Sequence, residues 1–89
     1  MTQVEMMMTE GANANPVECT AQAYYQLGLM YSAGRDCPLD YVAAHKWFNV
    51  ALARGYSEAA ELRTELASQM SSQEIAAALR EARSFLTRH

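Results

Sequence analysis

The side chains best suited to chemistry in this 89-residue sequence are two cysteines and two histidines, Cys19, Cys37, His45 and His89. Nucleophilic catalysis would need a nucleophile such as Cys37, a base such as His45 and an orienting acid such as Asp40 within hydrogen-bonding reach. The spacing does not bring these groups together, and Cys37 and His45 are more simply interpreted as packing residues. We therefore expect no enzymatic activity and no catalytic residues.

The same residues argue against a metal site or a disulfide. Zinc ligands usually come as Cys or His pairs at short spacing, and no such pair is present. The four glycines are dispersed and form no phosphate-binding loop. Cys19 and Cys37 flank a predicted helix, roughly 20 to 27 Å apart, whereas a disulfide needs Cα atoms within about 7 Å. We expect no metal, no cofactor and reduced thiols, which favours a cytoplasmic location.

The distribution of charge indicates which partners are excluded. The net charge is −3, and residues 1–20 contain three glutamates and no Lys or Arg, so the remainder balances seven acids with seven bases. A neutral domain lacks the positive field that nucleic acid requires. No stretch approaches the roughly 20 apolar residues of a membrane span, and no export signal is evident. We therefore expect neither a nucleic acid nor a membrane as partner.

The first half of the chain predicts two helices after a tail. Residues 1–19 show no sustained period and are predicted to be a flexible tail, although its Met6-Met7-Met8 run could instead dock on an apolar groove. Thr20 is the predicted N-cap of helix one, which ends at Gly34. Asp40 is the predicted N-cap of helix two, residues 41–54, which ends at Gly55. The predicted inward residues are Ala23, Leu27, Met30 and Tyr31 on helix one, and Ala44, Trp47, Phe48 and Ala51 on helix two.

The second half predicts two more helices, and no strand pattern is present. Ser57 is the predicted cap of helix three, which extends to about Met70 with Ala59, Leu62 and Leu66 on its apolar side. Ser71 and Glu74 have capping-box spacing and predict the start of helix four. The predicted apolar face of helix four comprises Ile75, Ala78, Leu79, Ala82, Phe85 and Leu86.

The order of small and aromatic residues in the first helix pair resembles a known repeat. Tyr24, Leu27, Gly28 and Tyr31 are similar to the opening of a tetratricopeptide unit, and Ala44 with Phe48 to its second helix. Residues 21–55 resemble still more closely a Sel-one-like repeat, whose spaced positions are occupied by Ala23, Leu27, Gly28, Tyr31, Gly34, Cys37, Asp40, Ala44, Trp47, Ala51 and Gly55. The family prefers glycine at the position of Asp36 and valine at the position of Cys37. Aspartate tolerates left-handed backbone and cysteine packs as a small hydrophobic residue, so both residues fit the repeat.

The resemblance implies an all-α, tetratricopeptide-like αα-hairpin fold over residues 20–89. It would contain one full repeat, 21–55, and a degenerate capping pair, 57–88, because Arg63 and Thr64 stand where Leu27 and Gly28 would recur. Gly28 costs about 1 kcal/mol relative to alanine inside a helix. We expect this cost to be offset by close approach of helix two, with Ala44 meeting Gly28.

The family also implies a protein-binding adaptor or scaffold role. Its concave groove would present Gln22, Tyr25, Leu29 and Ser32 from helix one and Glu58, Glu61, Glu65 and Ser68 from helix three. Such a groove suits a peptide or protein segment with Lys or Arg beside an apolar anchor. The glutamates could alternatively only solvate an exposed helix face. Because repeats bury their faces against neighbours, a self-assembling homodimer is the alternative to a capped monomer.

Overall fold

The chain is all-helical over the part that the structure describes. The computed structural model describes the backbone of residues 16–88 and the side chains of residues 20–88. These residues form four helices and no strand: α1 (Pro16–Ala33), α2 (Tyr41–Ala53), α3 (Ala59–Ala67) and α4 (Ser72–Arg88). None of these four helices is both long and apolar enough to cross a membrane. The Met6-Met7-Met8 run lies outside the described residues.

Helix α1 begins earlier than the sequence predicted. It starts at Pro16 rather than after Thr20, so the predicted helix start was wrong and residues 16–19 of the predicted tail are helical. Proline suits the first position of a helix because its φ is already helical and the amide hydrogen that it lacks would have no partner there. The predicted end is confirmed, since Gly34 adopts φ +67 and the amide of Arg35 donates to the Met30 carbonyl at 3.0 Å.

Both predicted ends of helix α2 are confirmed. The Asp40 carboxylate accepts a hydrogen bond from the Ala43 amide at 3.1 Å. At the other end Gly55 has φ +100, which places the Tyr56 amide on the Ala51 carbonyl at 2.9 Å. In the α1–α2 loop Asp36 has φ 64, so aspartate accepts the left-handed backbone for which the family prefers glycine.

Helices α1 and α2 pack closely at Gly28, but against a different residue from the one expected. A Cβ atom at Gly28 would lie 2.5 Å from Cδ1 of Phe48, so the aromatic ring, and not Ala44, occupies the space beside the glycine. The predicted inward position of Ala23 was also wrong: Ala23 is exposed and Ala21 is fully buried. Ala21 precedes Gly28 by about two helical turns and lies on its line, whereas Ala23 lies roughly 140° around the helix.

Helix α3 is shorter than predicted at both ends. It begins at Ala59 after Glu58, no side chain caps it, and it ends at Ala67, so the predicted Ser57 cap and extension to Met70 were wrong. Its apolar side is confirmed, because Ala59 and Leu66 are buried, and Leu62 and Met70 are partly buried against the same core.

Helix α4 begins with the predicted capping box. The Glu74 amide donates to Ser71 Oγ at 3.1 Å, and the Ser71 amide donates to Glu74 Oε1 at 2.9 Å. Its predicted apolar face is only partly covered. Ala78 and Ala82 are buried, but Leu79 is 41% exposed, so its predicted core position was wrong. The small alanines let α4 approach α2 and leave the longer leucine at the edge.

Helix α2 is the centre of the molecule and packs against each of the other three helices. Its buried apolar residues include Phe48, Val50 and two alanines. An aromatic cluster joins α2 to α1 and α4: the ring of Trp47 stacks on Tyr24 with centroids 5.5 Å apart and meets the edge of Phe85 at 5.1 Å. Trp47 is therefore half-buried between two helices, as its predicted inward position requires.

Candidate functional site

A cleft between α1 and α3 lies beside this core. Both helices pack on α2, and the space between them has a volume of about 200 Å³. Eight residues from α1, α2, α3 and the turn after α3 line it: Leu29, Ser32, Tyr41, Phe48, Leu62, Glu65, Leu66 and Gln69. Pockets for whole drug-sized ligands typically reach about 300 to 1,000 Å³, so this cleft is suited to one or two side chains.

The floor of the cleft is apolar and held in place by core packing. Phe48 is 1% exposed, and Leu66 is also buried. Leu29 and Leu62 are partly buried against the same core and complete the apolar lining. Because Gly28 leaves room for the Phe48 ring, the closest contact between α1 and α2 also fixes this floor.

The rim of the cleft is polar. The Ser32 hydroxyl donates to the Leu29 carbonyl at 2.9 Å, and the Tyr41 hydroxyl donates to Gln69 Oε1 at 3.3 Å. Glu65 lines the cleft and is exposed, so its carboxylate stands where the apolar floor meets solvent. An apolar floor beside a carboxylate can accept an aliphatic side chain accompanied by a positive charge.

The structure brings together three of the eight groove residues singled out from the sequence. Leu29, Ser32 and Glu65 line the same cleft. Tyr25 lies deeper in the fold, with its ring centroid 4.8 Å from that of Tyr56 and 5.9 Å from that of Phe48. The remaining positions are exposed and do not line the cleft: Gln22, Glu58 and Glu61, with Ser68 beyond the end of α3.

The sequence did not identify several cleft residues that different helices contribute. Phe48, Leu62 and Leu66 were predicted only as core, yet each also lines the cleft. The spacing of these apolar residues predicted correctly which side of each helix faces the core. It did not indicate which part of that side stays open to the cleft. Tyr41 and Gln69 lie 28 positions apart in sequence, and no local pattern indicated that they meet at the rim.

A buried polar network joins α2 to α3 outside the cleft lining. His45, interpreted from sequence as a boundary residue, is only 3% exposed. The Asn49 amide nitrogen lies 2.7 Å from His45 Nδ1 and donates to the His45 carbonyl at 2.9 Å, while Arg63 donates to Asn49 Oδ1 at 2.6 Å. Because arginine only donates, the Asn49 oxygen must face Arg63 and its nitrogen must face His45. His45 Nδ1 is therefore an acceptor, and the ring is neutral.

The surroundings of His45 oppose its protonation. Burial lowers the pKa of His45 below its ordinary value of 6.5, and the positive charge of Arg63 lowers this pKa further. A hydrogen bond involving its own backbone acts in the opposite direction and is the smallest of the three causes. The network thus holds a neutral histidine against a charged arginine through one asparagine.

The described residues contain no assembled metal centre. No group of three or more His, Cys, Asp and Glu side chains comes together between residues 20 and 88. Cys37 is half-buried in the α1–α2 loop, and the described contacts of His45 Nδ1 are with Asn49. His89 lies outside the described residues.

Comparisons with protein-family models, with curated proteins and with solved structures found no match. The similarity to Sel-one-like repeats therefore stays a prediction.

Proposed function

We propose that this chain is a non-catalytic protein-binding module of the Sel-one-like repeat type. Its tetratricopeptide-like first pair and capping second pair present the cleft between α1 and α3 to a segment of another protein. That segment carries an aliphatic anchor with Lys or Arg beside it. The single observation that carries the proposal is the meeting of an apolar floor and an exposed carboxylate, Phe48 and Glu65, in one cleft.

The backbone of the first helix pair supports the repeat assignment. Gly28 lies against an aromatic ring of the second helix, and Asp36 and Gly34 both have left-handed backbone between the helices. Gly28 and Gly34 coincide with positions at which the sequence resembles the family, and Asp36 keeps left-handed backbone where the family prefers glycine. These features give physical reasons for the residues found there, because a side chain at position 28 or a β-branched residue at 34 would be strained.

The size and composition of the cleft support binding of a side chain rather than of a cofactor. Binding energy at protein interfaces concentrates in anchors that fill desolvated pockets, with polar groups around them. Burying a leucine side chain contributes about 1.5 to 3 kcal/mol, and an exposed ion pair adds about 0.2 to 1 kcal/mol. We therefore expect affinity to depend on the apolar floor and specificity on Glu65.

A synthetic peptide with a central leucine flanked by lysines provides the test of this proposal. Its addition should shift NMR amide resonances of α1 and α3 around the cleft. The double substitution Leu29→Ala with Leu62→Ala should weaken binding at least about 10-fold, measured by fluorescence anisotropy, because it removes both sides of the apolar lining. Glu65→Gln should weaken it less, up to about fivefold.

A matched control is available in the α1–α2 loop. Leu39 is 57% exposed and does not line the cleft, so Leu39→Ala should leave peptide affinity unchanged. A second peptide, with glutamates in place of lysines, should bind more weakly than the first. Equal binding of both peptides, or resonance shifts confined to α4, would contradict the proposed use of the cleft.

A further inference from the structure

The edge of α4 presents an apolar stripe to solvent. Leu79 is 41% exposed, although helix α4 buries two alanines next to it. Leu79, Ala82 and Leu86 line a shallow groove of about 370 Å³ together with Asn49, Arg83 and Thr87. Residues seven positions apart in a helix lie almost on one line, so Leu79 and Leu86 form a continuous stripe with Arg83 between them.

The charge beside this stripe is predominantly positive. Arg80 and Arg83 of α4 are exposed, and Arg83 shares the groove with the leucines, whereas Arg88 lies with Glu81 in another depression. Glu81 lies in a separate depression lined by Lys46, Ser84, Phe85 and Arg88. The α4 stripe therefore combines an aliphatic side chain with arginine one turn away, which is the chemistry that suits the cleft.

The charge beside the cleft is the opposite. Glu65 lines the cleft, and Glu61 of α3 and Glu58 just before this helix are also exposed. Successive members of this group are three or four positions apart, which places them along one side of the helix. Within one chain the α4 stripe cannot enter the cleft, because α4 is packed on α2 through its alanines. The two complementary surfaces can meet only between copies.

We infer that the occupant of the cleft is the α4 stripe of a second copy of this chain. Leu79 of one copy enters the cleft between α1 and α3 of the next, and Arg83 lies against the Glu65 side of the rim. This inference rests on the proposed function, because it names the partner of the same cleft. Since the cleft and the stripe are different surfaces, the contact is head-to-tail and leaves one of each surface free for further copies.

The apolar surface that the second helix pair leaves exposed also favours a second copy of the same chain as the occupant of the cleft. Repeat units bury their apolar faces against neighbouring units, and the described chain contains few such units. A head-to-tail contact would cover Leu79 of one copy and the cleft of the next in one step. It would also place the α3 glutamates of one copy near the α4 arginines of another, so both charged faces would be matched.

Sedimentation velocity on paired charge variants tests the inference. The wild-type chain should show an average mass that rises with concentration. The cleft variant Glu61→Arg with Glu65→Arg and the stripe variant Arg80→Glu with Arg83→Glu should each weaken self-association at least about 10-fold, because each places like charges together. All four positions are exposed, and circular dichroism should confirm that both variants stay helical.

A mixture of the two variants gives the decisive measurement. The cleft variant retains a wild-type stripe, and the stripe variant retains a wild-type cleft, so an equimolar mixture should regain assembly. The two reversed surfaces are also complementary in charge, arginines against glutamates, so the mixture should again form species larger than a dimer. Arg35→Glu, in the α1–α2 loop, is the control for a change in net charge and should assemble like the wild type. The single substitution Leu79→Ala in an otherwise wild-type chain should also reduce the average mass.

The opposing outcomes separate this inference from the proposed function. A wild-type chain that stays monomeric at all concentrations overturns the inference, and binding of the lysine–leucine peptide to the cleft would then still support the proposed function. Assembly that survives both charge variants overturns the inference, because another surface would be responsible. The proposed function has a separate test: where the stripe variant is monomeric, failure of the peptide to bind to its intact cleft would overturn the proposed function.

Discussion

In the α1–α2 pair the ring of Phe48 is 1% exposed and lies against a glycine, whereas in the α3–α4 pair the side chain of Leu79 is 41% exposed. The first pair brings two backbones close together, so that one aromatic ring fills the space between them. The second pair makes its buried contacts through Ala59 and Leu66 from α3 and two alanines from α4. Both pairs are helical and apolar, but only the first fully buries an aromatic ring, that of Phe48.

The two helix pairs therefore use their apolar residues differently. Close packing around Phe48 makes the first pair sensitive to a change of one methyl group. The looser edge of the second pair contributes less to the free energy of unfolding but leaves a leucine and an arginine available for a neighbour. Close packing is thus concentrated around Phe48, and the α4 stripe proposed for assembly lies outside that core.

The largest predicted effect comes from the tight pair. Gly28→Ala places a methyl group 2.5 Å from Cδ1 of a fully buried ring, so the ring or α1 must move. Overpacking of this kind costs about 3 kcal/mol, although alanine by itself favours a helix by about 1 kcal/mol over glycine. We expect thermal unfolding, followed by circular dichroism, to move down by more than about 10 °C.

Two further variants locate the cause of that loss. Ala23→Leu adds a larger side chain to an exposed position of the same helix and should change the melting temperature little. Phe48→Leu in the Gly28→Ala background removes the ring and should cost less than it does in the wild-type background. If Gly28→Ala melts like the wild type, the contrast between the two helix pairs does not hold.

The second prediction concerns the polar network that joins α2 to α3. Burial first, and then the charge of Arg63, lower the pKa of His45 below 6.5 in the folded chain. The unfolded chain therefore binds a proton that the folded chain does not, at every pH between the two pKa values. Below pH 6.5 the free energy of unfolding should fall by up to about 1.4 kcal/mol per pH unit, and above it this contribution should be constant.

Denaturant unfolding between pH 5.5 and 7.5 measures this slope. His45→Gln is the matched control, because an amide oxygen can accept a hydrogen bond from Asn49 but does not titrate. The variant should show a flatter dependence over the same range, in which carboxylates remain ionised. Equal pH slopes for the wild type and His45→Gln would show that protonation of His45 does not affect the stability of the contact between α2 and α3.

The end of α1, both ends of α2 and the start of α4 were predictable from sequence because their signals are local, whereas the start of α1 and both ends of α3 were not. Asp40, Gly34 and Gly55 act on backbone groups within a few positions, and all three have the expected roles. The rotation of α1 was not predictable, since it depends on where the Phe48 ring of another helix lies. The exposure of Leu79 was missed for the same reason: helical spacing identifies an apolar face but not how far a neighbour covers it.

The candidate site was predictable to a smaller extent. Leu29, Ser32 and Glu65 follow from the groove positions that the family resemblance implies, and they do line one cleft. The hydrogen bond between Arg63 and Asn49 joins residues 14 positions apart on different helices, so no local pattern indicated it. Contacts of this kind depend on the angle between two helices, which single-sequence spacing does not determine.

The smallest effect is expected at the start of α4, in the loosely covered pair. Ser71→Ala removes the oxygen that accepts from the Glu74 amide and should lower the free energy of unfolding by about 1 kcal/mol. Ser72→Ala, at the adjacent exposed position, is the control and should be nearly neutral. Amide exchange should speed up in the first turn of α4 while the amides of α2 around Phe48 stay protected, because α4 can fray without opening the tight pair. A loss as large as that of Gly28→Ala, with α2 exposed to exchange, would mean that α4 supports the whole fold. The second pair would then not be the loosely covered part of the molecule.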